Sequence, residues 1–322
     1  MPTTVNAARA TQSSGRTTGV SVVVPHYGDP ITSRHVVEQL QIQETDRPYE
    51  IIVVDDCSPR PFPQIDGVRT IRRTTNGGFG SAVNTGARLA CHPHLLILNS
   101  DLEIDPTFLE ALAATADRGP AVLGPRVLTL DGHVAPTARR FSRRRHHLVE
   151  WLEPLARFRT TAAWHRAVGH DNRIYADTDF YADWVVGCAL MLPRRLFLDV
   201  GGFDPRYRMN CEEVDLQRRL RDWGVGVRYV ASVICRHESG ASSGSVIARQ
   251  RQLCASRLAY VEKWDGRKAR YELQIALTLA TAVNTLWRIF RRLARRPVQP
   301  IEQTRLELSL IWRPSQTPTA ES

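Results

Sequence analysis

Leu95-Leu96-Ile97-Leu98-Asn99-Ser100-Asp101-Leu102-Glu103 is a run of four apolar residues followed by a polar step and a carboxylate. A run that short and that uniformly apolar reads as an interior strand, Leu95 to Leu98, covered on both faces. Asp101 then stands just past the carboxyl end of that strand. In an open α/β sheet, ligands bind in the crevice outside the carboxyl ends of the strands. A carboxylate there can hold a hard divalent cation against a diphosphate, or it can simply turn the chain. The neighbouring strand ends decide between the two.

Upstream, Val22-Val23-Val24-Pro25 reads as a first strand ended by proline, His35 to Gln43 as a helix, and Glu50 to Val54 as a second strand with Asp55-Asp56 at its end. Val68 to Ile71 is expected as a third strand and Gly80 to Ala90 as a helix. Downstream come a helix from Pro106 to Ala116 and a strand from Gly124 to Leu130, turning at Asp131-Gly132. About fifty irregular, basic residues containing Trp151 and Trp164 follow. Tyr181 to Leu192 is apolar again, Gly201 to Asp204 is a turn, Val214 to Trp223 a helix, and Val225 to Val233 a last strand ahead of His237. The alternation predicts an α/β fold: a Rossmann-like mixed, largely parallel sheet flanked by helices. Residues 1–19 read as a loose tail without the apolar run of a signal peptide, 20–245 as the sheet domain and 246–322 as a C-terminal helical extension.

The chain has 322 residues, 43% of them apolar, a composition that is globular rather than fibrous or disordered. Its net charge of +10 is clustered, with five arginines between Arg139 and Arg145, followed by His146 and His147, and five more between Arg288 and Arg296. No zinc finger, helix-turn-helix or aromatic–basic motif accompanies them, so nucleic acid is not the expected partner. The second cluster adjoins the apolar segment Ile275 to Ile289, where Asn284 and Arg288 interrupt an otherwise span-like run. A helix lying on an anionic membrane surface is the favoured reading, at the inner face of a cell membrane in a cytoplasmic protein. Intramolecular docking, a homo-oligomer contact and a true span stay open. The six scattered cysteines show no metal-ligand spacing and read as reduced and structural.

Asp55 and Asp56 can accept hydrogen bonds from a base or ribose, or act as turn residues. Asn76-Gly77-Gly78-Phe79-Gly80 opens a helix, where glycines allow close backbone approach and free N–H groups attract an anion. Asn84 and Gly86 follow in its first turns. This spacing is neither the dinucleotide fingerprint nor the Walker loop, which weakens hydride transfer and ATP hydrolysis. Glu212, Glu213 and Asp215 are acid–base candidates or, equally simply, capping groups and partners for Arg218 and Arg219. His237 reads as a metal ligand, a phosphate contact or an ordinary loop histidine.

Taken in order, these segments resemble the family-2 glycosyltransferases of the GT-A fold, most closely their bacterial rhamnosyltransferase-like branch, from about Ser21 to Ser242. Val24-Pro25-His26-Tyr27 is similar to the family's opening strand, with Pro25 and Tyr27 on the donor side. Val53 to Ser58 is similar to the nucleotide-contacting strand end, and Asn76 to Gly80 with Asn84 to its asparagine–glycine loop, where Asn76, Gly78 and Phe79 face the donor. Asn99-Ser100-Asp101 occupies the metal-binding Asp-x-Asp position, with Asn99 replacing the first acid. Trp184-Val185-Val186-Gly187 resembles the acceptor-side segment, contributing Trp184 and Gly187. Glu212-Glu213-Val214-Asp215 resembles the block containing the base, with Glu213 at the base position and Glu212 beside it. His237 to Ser242 resembles the closing histidine segment. The resemblance implies inverting transfer of a sugar from a nucleotide-diphosphate donor, dTDP-rhamnose first and UDP-galactofuranose or a UDP-hexose next. It implies Mg²⁺ or Mn²⁺ held by Asp101 and His237, and a glycan, lipid-linked or small-molecule acceptor. A nucleotidyltransferase would need a glycine–basic triphosphate loop that Pro25 to Asp29 lacks. A non-catalytic nucleotide-sugar-binding protein requires the Glu212 block to be purely structural.

Overall fold

The computed structural model describes residues 18–237, 246–294 and 299–314, and within these the chain opens as a βαβ series. It runs β1 (Val20–His26), α1 (Pro30–Gln41), β2 (Tyr49–Asp55), β3 (Val68–Arg72), α2 (Phe79–Leu89) and β4 (His94–Leu98). Next come β5 (Leu102–Ile104), α3 (Phe108–Ala116), β6 (Ala121–Thr129), β7 (Ala138–Arg139), α4 (Arg144–Trp151), α5 (Ala162–Ala167), β8 (Phe180–Ala182), β9 (Trp184–Val185) and β10 (Ala189–Pro193). The series closes with α6 (Arg194–Asp199), α7 (Glu212–Asp222), β11 (Gly226–His237), α8 (Val246–Leu293) and α9 (Pro300–Trp312).

Among the described residues the main sheet has nine strands in the order β3-β2-β1-β4-β10-β6-β11-β5, with β8 on β11, while β7 and β9 form a separate pair. β3, β2, β1 and β4 are mutually parallel. β10 runs antiparallel to both β4 and β6, and β11 is parallel to β6. The carboxyl ends of β1, β2, β4, β6 and β11 therefore share one edge, and the reversal of β10 brings its amino end, Gly187-Cys188, to that same edge. Leu95 to Leu98 are fully buried and alternate between two cores, Leu96 and Leu98 packing under α1 and α3, Leu95 and Ile97 under α2, α6 and α7.

Several boundaries differ from the sequence expectation for identifiable reasons. β1 continues through Pro25 to His26, because its pairing with β4 ends at Val23 and no ladder hydrogen bond is lost on that side at Pro25. α1 starts at Pro30, where Asp29 accepts a hydrogen bond from the Ile31 amide at 3.1 Å and proline fixes the first turn. β11 does not stop at Val233. A register shift between Val230 and Ile234 lets it carry on to His237.

α8 is broken at Gly266, whose φ of 89° and ψ of 168° are not helical. Its first arm packs Tyr260 beside Tyr207 and Val214, and its second packs Leu273 and Leu277 against Leu310 and Ile311 of α9. By length and composition α8 could cross a membrane. Asn284 and Arg288, however, are buried anchors: Asn284 accepts from the Glu153 amide at 2.8 Å, and Arg288 is paired with Glu153 and Glu307. Arg288 thus does not join an exposed arginine face, and Arg291 is tied to Glu153 at 3.1 Å. The outer side of the second arm exposes Tyr271, Ile275, Leu279, Leu286, Phe290 and Leu293. Arg295 and Arg296, the segment Glu238 to Ser242 and the first seventeen residues lie outside the described residues.

Candidate active site

The shared strand edge is organised by two adjacent carboxylates that act differently. Asp55 is buried and accepts from the Ser58 amide at 2.7 Å, the Phe62 amide at 3.0 Å and the Arg72 guanidinium. Burial works against its charge, but these donors outweigh it and hold the carboxyl below its usual range. Asp56 accepts from the Gly77 and Gly78 amides at 3.1 and 2.6 Å and pairs with Arg73, so it fastens the glycine loop. Gly78 has a φ of 84°, and a Cβ there would run into the Arg208 carbonyl. Asn76 accepts from the Gly78 amide at 3.2 Å and from Arg208 at 3.1 Å. Tyr27 is exposed at the end of β1, whereas Pro25 is buried in the strand.

Asp101 and His237 meet. The Nε2 of His237 lies 3.1 Å from Oδ1 of Asp101, because β11 pairs antiparallel with β5 and sets His237 opposite Leu102. Both side chains keep part of their surface open. Two ligands in neighbouring octahedral positions, each about 2.1 Å from a Mg²⁺ ion, stand about 3 Å apart, so this pair fits a divalent cation in place of its shared proton. Asn99 donates its amide to the Cys188 carbonyl at 2.8 Å, joining the Asp101 turn to the amino end of β10. A second group with ligand-like spacing, Glu50, Cys91 and His92, sits at the amino ends of β2 and β4, on the opposite edge of the sheet. Glu50 is occupied there by Ser21 and the Cys91 amide.

Glu213 faces the Gly187 turn so closely that a Cβ on Gly187 would stand 3.1 Å from the Glu213 Cβ. Glu212 and Glu213 are both buried, and each has one carboxylate oxygen, Oε2, with no protein partner among the described residues. Burial first, and then the charge of Glu213, drives the Glu212 carboxyl far above its usual range. Burial also raises Glu213, moderated by backbone N–H groups and by Arg139. Two like charges in one dry site favour holding a single proton between them. The helix that carries them starts after Asn210 and Cys211, both in the left-handed region at φ 64° and 71°. For side chains larger than glycine this conformation is strained, as happens at sites the surrounding fold over-determines. Gln217, fully buried, donates to the Glu213 carbonyl at 3.0 Å and bonds both backbone groups of Val185, locking α7 to β9. Burial pushes the Cys188 thiol up to about 12 and raises Cys211 as well, so neither supplies a thiolate.

Besides Asp55, two further candidates turn inward. Asp215 has no exposed surface. It accepts from Arg219 at 2.8 Å and Trp264 at 3.0 Å and pairs with Lys263 at 2.7 Å, which fixes α7 against α8 and leaves nothing for an acceptor. Asn84 does not face the cleft. It bonds the Phe203 amide and carbonyl, each at 2.8 Å, and clamps α2 to the Gly201–Asp204 turn. Trp184 is buried, its indole N–H on the Arg140 carbonyl and its ring under the Arg139 guanidinium. The sequence reading missed Arg139 as the cation facing Glu213, Arg208 as the wall of the glycine loop and Gln217 as the lock on α7. Arg139 was visible only as one member of a basic run, and Gln217 carries no local signal.

A family model described as glycosyl transferase family 2 matches residues 21–172. The chain is 32% identical over 221 residues to N-acetylglucosaminyl-diphospho-decaprenol L-rhamnosyltransferase of Mycobacterium tuberculosis, covering 62% of this chain and 70% of that protein. Among solved structures, GalNAc-T7 with UDP, GalNAc and Mn²⁺ superposes with a TM-score of 0.54 at 15% identity, over 75% of this chain and 48% of that one. The mannosyltransferase PcManGT of Pyrobaculum calidifontis, in complex with GDP-Man and Mn²⁺, gives 0.51 at 16% identity, over 92% and 86%. These two share the fold. A strand edge built from β1, β2, β4 and β11, with a buried carboxylate pair brought to it by α7, is thus set in a chain whose sequence matches over most of a known transferase: the protein belongs to glycosyl transferase family 2 and is a glycosyltransferase.

Proposed function

We propose that this enzyme moves a sugar from a nucleotide-diphosphate donor to an acceptor hydroxyl with inversion at the anomeric carbon, and that Glu213 is the general base. The observation that carries this reading is the free, buried carboxylate oxygen of Glu213 packed on the Gly187 turn, whose next residue, Cys188, is hydrogen-bonded to the segment bearing Asp101. Asp56 shapes the Asn76–Phe79 loop that receives the nucleotide, with Tyr27 at its margin. Asp101 and His237 would hold Mg²⁺ or Mn²⁺, which would supply charge neutralisation for the leaving diphosphate. Glu213 takes the proton of the acceptor hydroxyl as that oxygen bonds to the anomeric carbon. The carbon–oxygen bond to the diphosphate breaks on the opposite face, and its electron pair leaves with the diphosphate. Arg139 keeps Glu213 able to ionise, while burial and the Glu213 charge favour the protonated form of Glu212 beside it.

The donor that the mycobacterial relative's name favours is an activated L-rhamnose, as dTDP-rhamnose, and the acceptor a glycan or lipid-linked sugar. The exposed apolar stripe of α8, with Arg267 and Lys268 before it and Arg292 at its end, favours seating on an anionic membrane surface. The test is a panel of nucleotide sugars with and without Mn²⁺, read as melting-temperature shifts and turnover. A Mn²⁺-dependent shift with dTDP-rhamnose is expected, and a shift confined to UDP-sugars would replace the donor. Glu213→Gln is expected to lower turnover by about 10² to 10⁴ while the donor shift persists. Turnover within a few-fold of wild type would remove Glu213 from the base position.

A further inference from the structure

Between α4, α5 and α7 lies an open groove of about 1540 Å³ whose walls carry eight arginines against four aspartates. Asp101, His237 and the Asn76 loop are not among its walls. Arg144, Arg173 and Arg221 are held by Glu272, Asp171 and Asp183. Arg218 is spread over Phe141 and Trp264. Arg140, Arg143, Arg145 and Arg166 make no ion pair among the described residues. Like charges gathered on one concave wall repel one another until an anion joins them, and guanidinium forks match phosphate oxygens in bidentate pairs. The field reaches a histidine. Burial first, and then Arg145 and Arg143 of the groove wall, lowers His146.

We infer that this groove holds the diphosphate of a lipid-linked acceptor, with the lipid chain leaving along α8. Two placements carry the assignment. One is on β7 and β9: Arg140 and Asp183 of the groove wall adjoin Arg139 and Trp184, which pair with each other, and Arg139 is the cation that acts on Glu213. The acceptor's terminal sugar would then lie between the base and the diphosphate. At the other end, Glu272 pairs with Arg144 in the groove wall, and Glu272 stands in one helical row with Lys268, Ile275, Leu279 and Leu286. The groove therefore opens where the apolar stripe of α8 begins. Only the sugar at the far end rests on the reaction proposed above.

Flotation tests the inference, using phosphatidylcholine vesicles doped with undecaprenyl diphosphate, vesicles brought to the same surface charge with phosphatidylglycerol, and plain phosphatidylcholine vesicles. Wild type is expected to bind the diphosphate lipid about ten-fold more tightly than the phosphatidylglycerol vesicles, with soluble pyrophosphate competing. The variant Arg143→Ser/Arg145→Ser/Arg166→Ser is expected to lose that preference at an unchanged melting temperature. Its lysine counterpart, which keeps the charge and guards against a folding artefact, is expected to retain phosphatidylglycerol binding and lose most of the preference. Equal binding to the two charged vesicles by wild type, or a full preference in either triple variant, overturns the assignment. If pyrophosphate binds but the diphosphate lipid shows no advantage, the groove takes free phosphate and the lipid assignment is wrong. A nucleotide-sugar melting shift measured on the same preparation reports on the donor reading separately.

Discussion

Glu212 and Glu213 are adjacent in sequence and buried together, so the cost of keeping them charged falls on the folded state alone. A carboxyl raised above its unfolded value adds stability that is complete below the ordinary glutamate range and is lost as pH rises through the raised value. Glu212→Gln is therefore expected to melt a few degrees higher than wild type at pH 8, with the gain gone at about pH 4, by thermal denaturation across that range. Equal melting at pH 8 would mean that Glu212 is charged without penalty. Asp101, His237 and Glu213 stood out as candidates because each is a reactive type at or near a strand or helix end. The inward turn of Asp55, Asn84 and Asp215 was not legible. Sequence shows a polar group, but not the Ser58 amide, the Phe203 backbone or the Lys263 ammonium that already occupies it.

Among the elements, strands that are apolar on both faces were read correctly because burial on two sides leaves no polar residue to mistake. Their ends were misplaced where a tertiary fact overrode a local one: Pro25 is tolerated because β4 has stopped pairing, and β11 continues past its irregularity. Besides its buried face, α2 is placed by Asn84, whose two bonds reach a turn 119 residues away. Asn84→Ala is expected to cost about 2 kcal/mol, because it strands an amide and a carbonyl in a partly buried site. Denaturant titration should show a lower midpoint with an unchanged slope. An unshifted midpoint would show that water replaces the side chain without loss.

Across the whole molecule, composition and alternation disclosed an α/β sheet, while the strand order, with β10 reversed between β4 and β6, left no mark in the sequence. The basic stretches were visible too, but not their division between buried anchors such as Arg288 and a free groove wall. The C-terminal helices give the particle two unlike surfaces, since α8 buries one row and exposes another. Leu279→Glu/Leu286→Glu is expected to reduce co-sedimentation with phosphatidylglycerol vesicles about ten-fold or more, with the melting temperature held, because the lost term is apolar insertion. Undiminished binding would place the contact elsewhere. The meeting of Asp101 with His237 also has a consequence for assembly. It joins residues 136 apart through a late strand of the sheet, so the chain pays nearly its full loop-closure entropy before that pair exists. On the role proposed for the pair, an Asp101 turn without β11 would be half a binding site during synthesis or refolding, and cation affinity would be a property that only the finished sheet acquires.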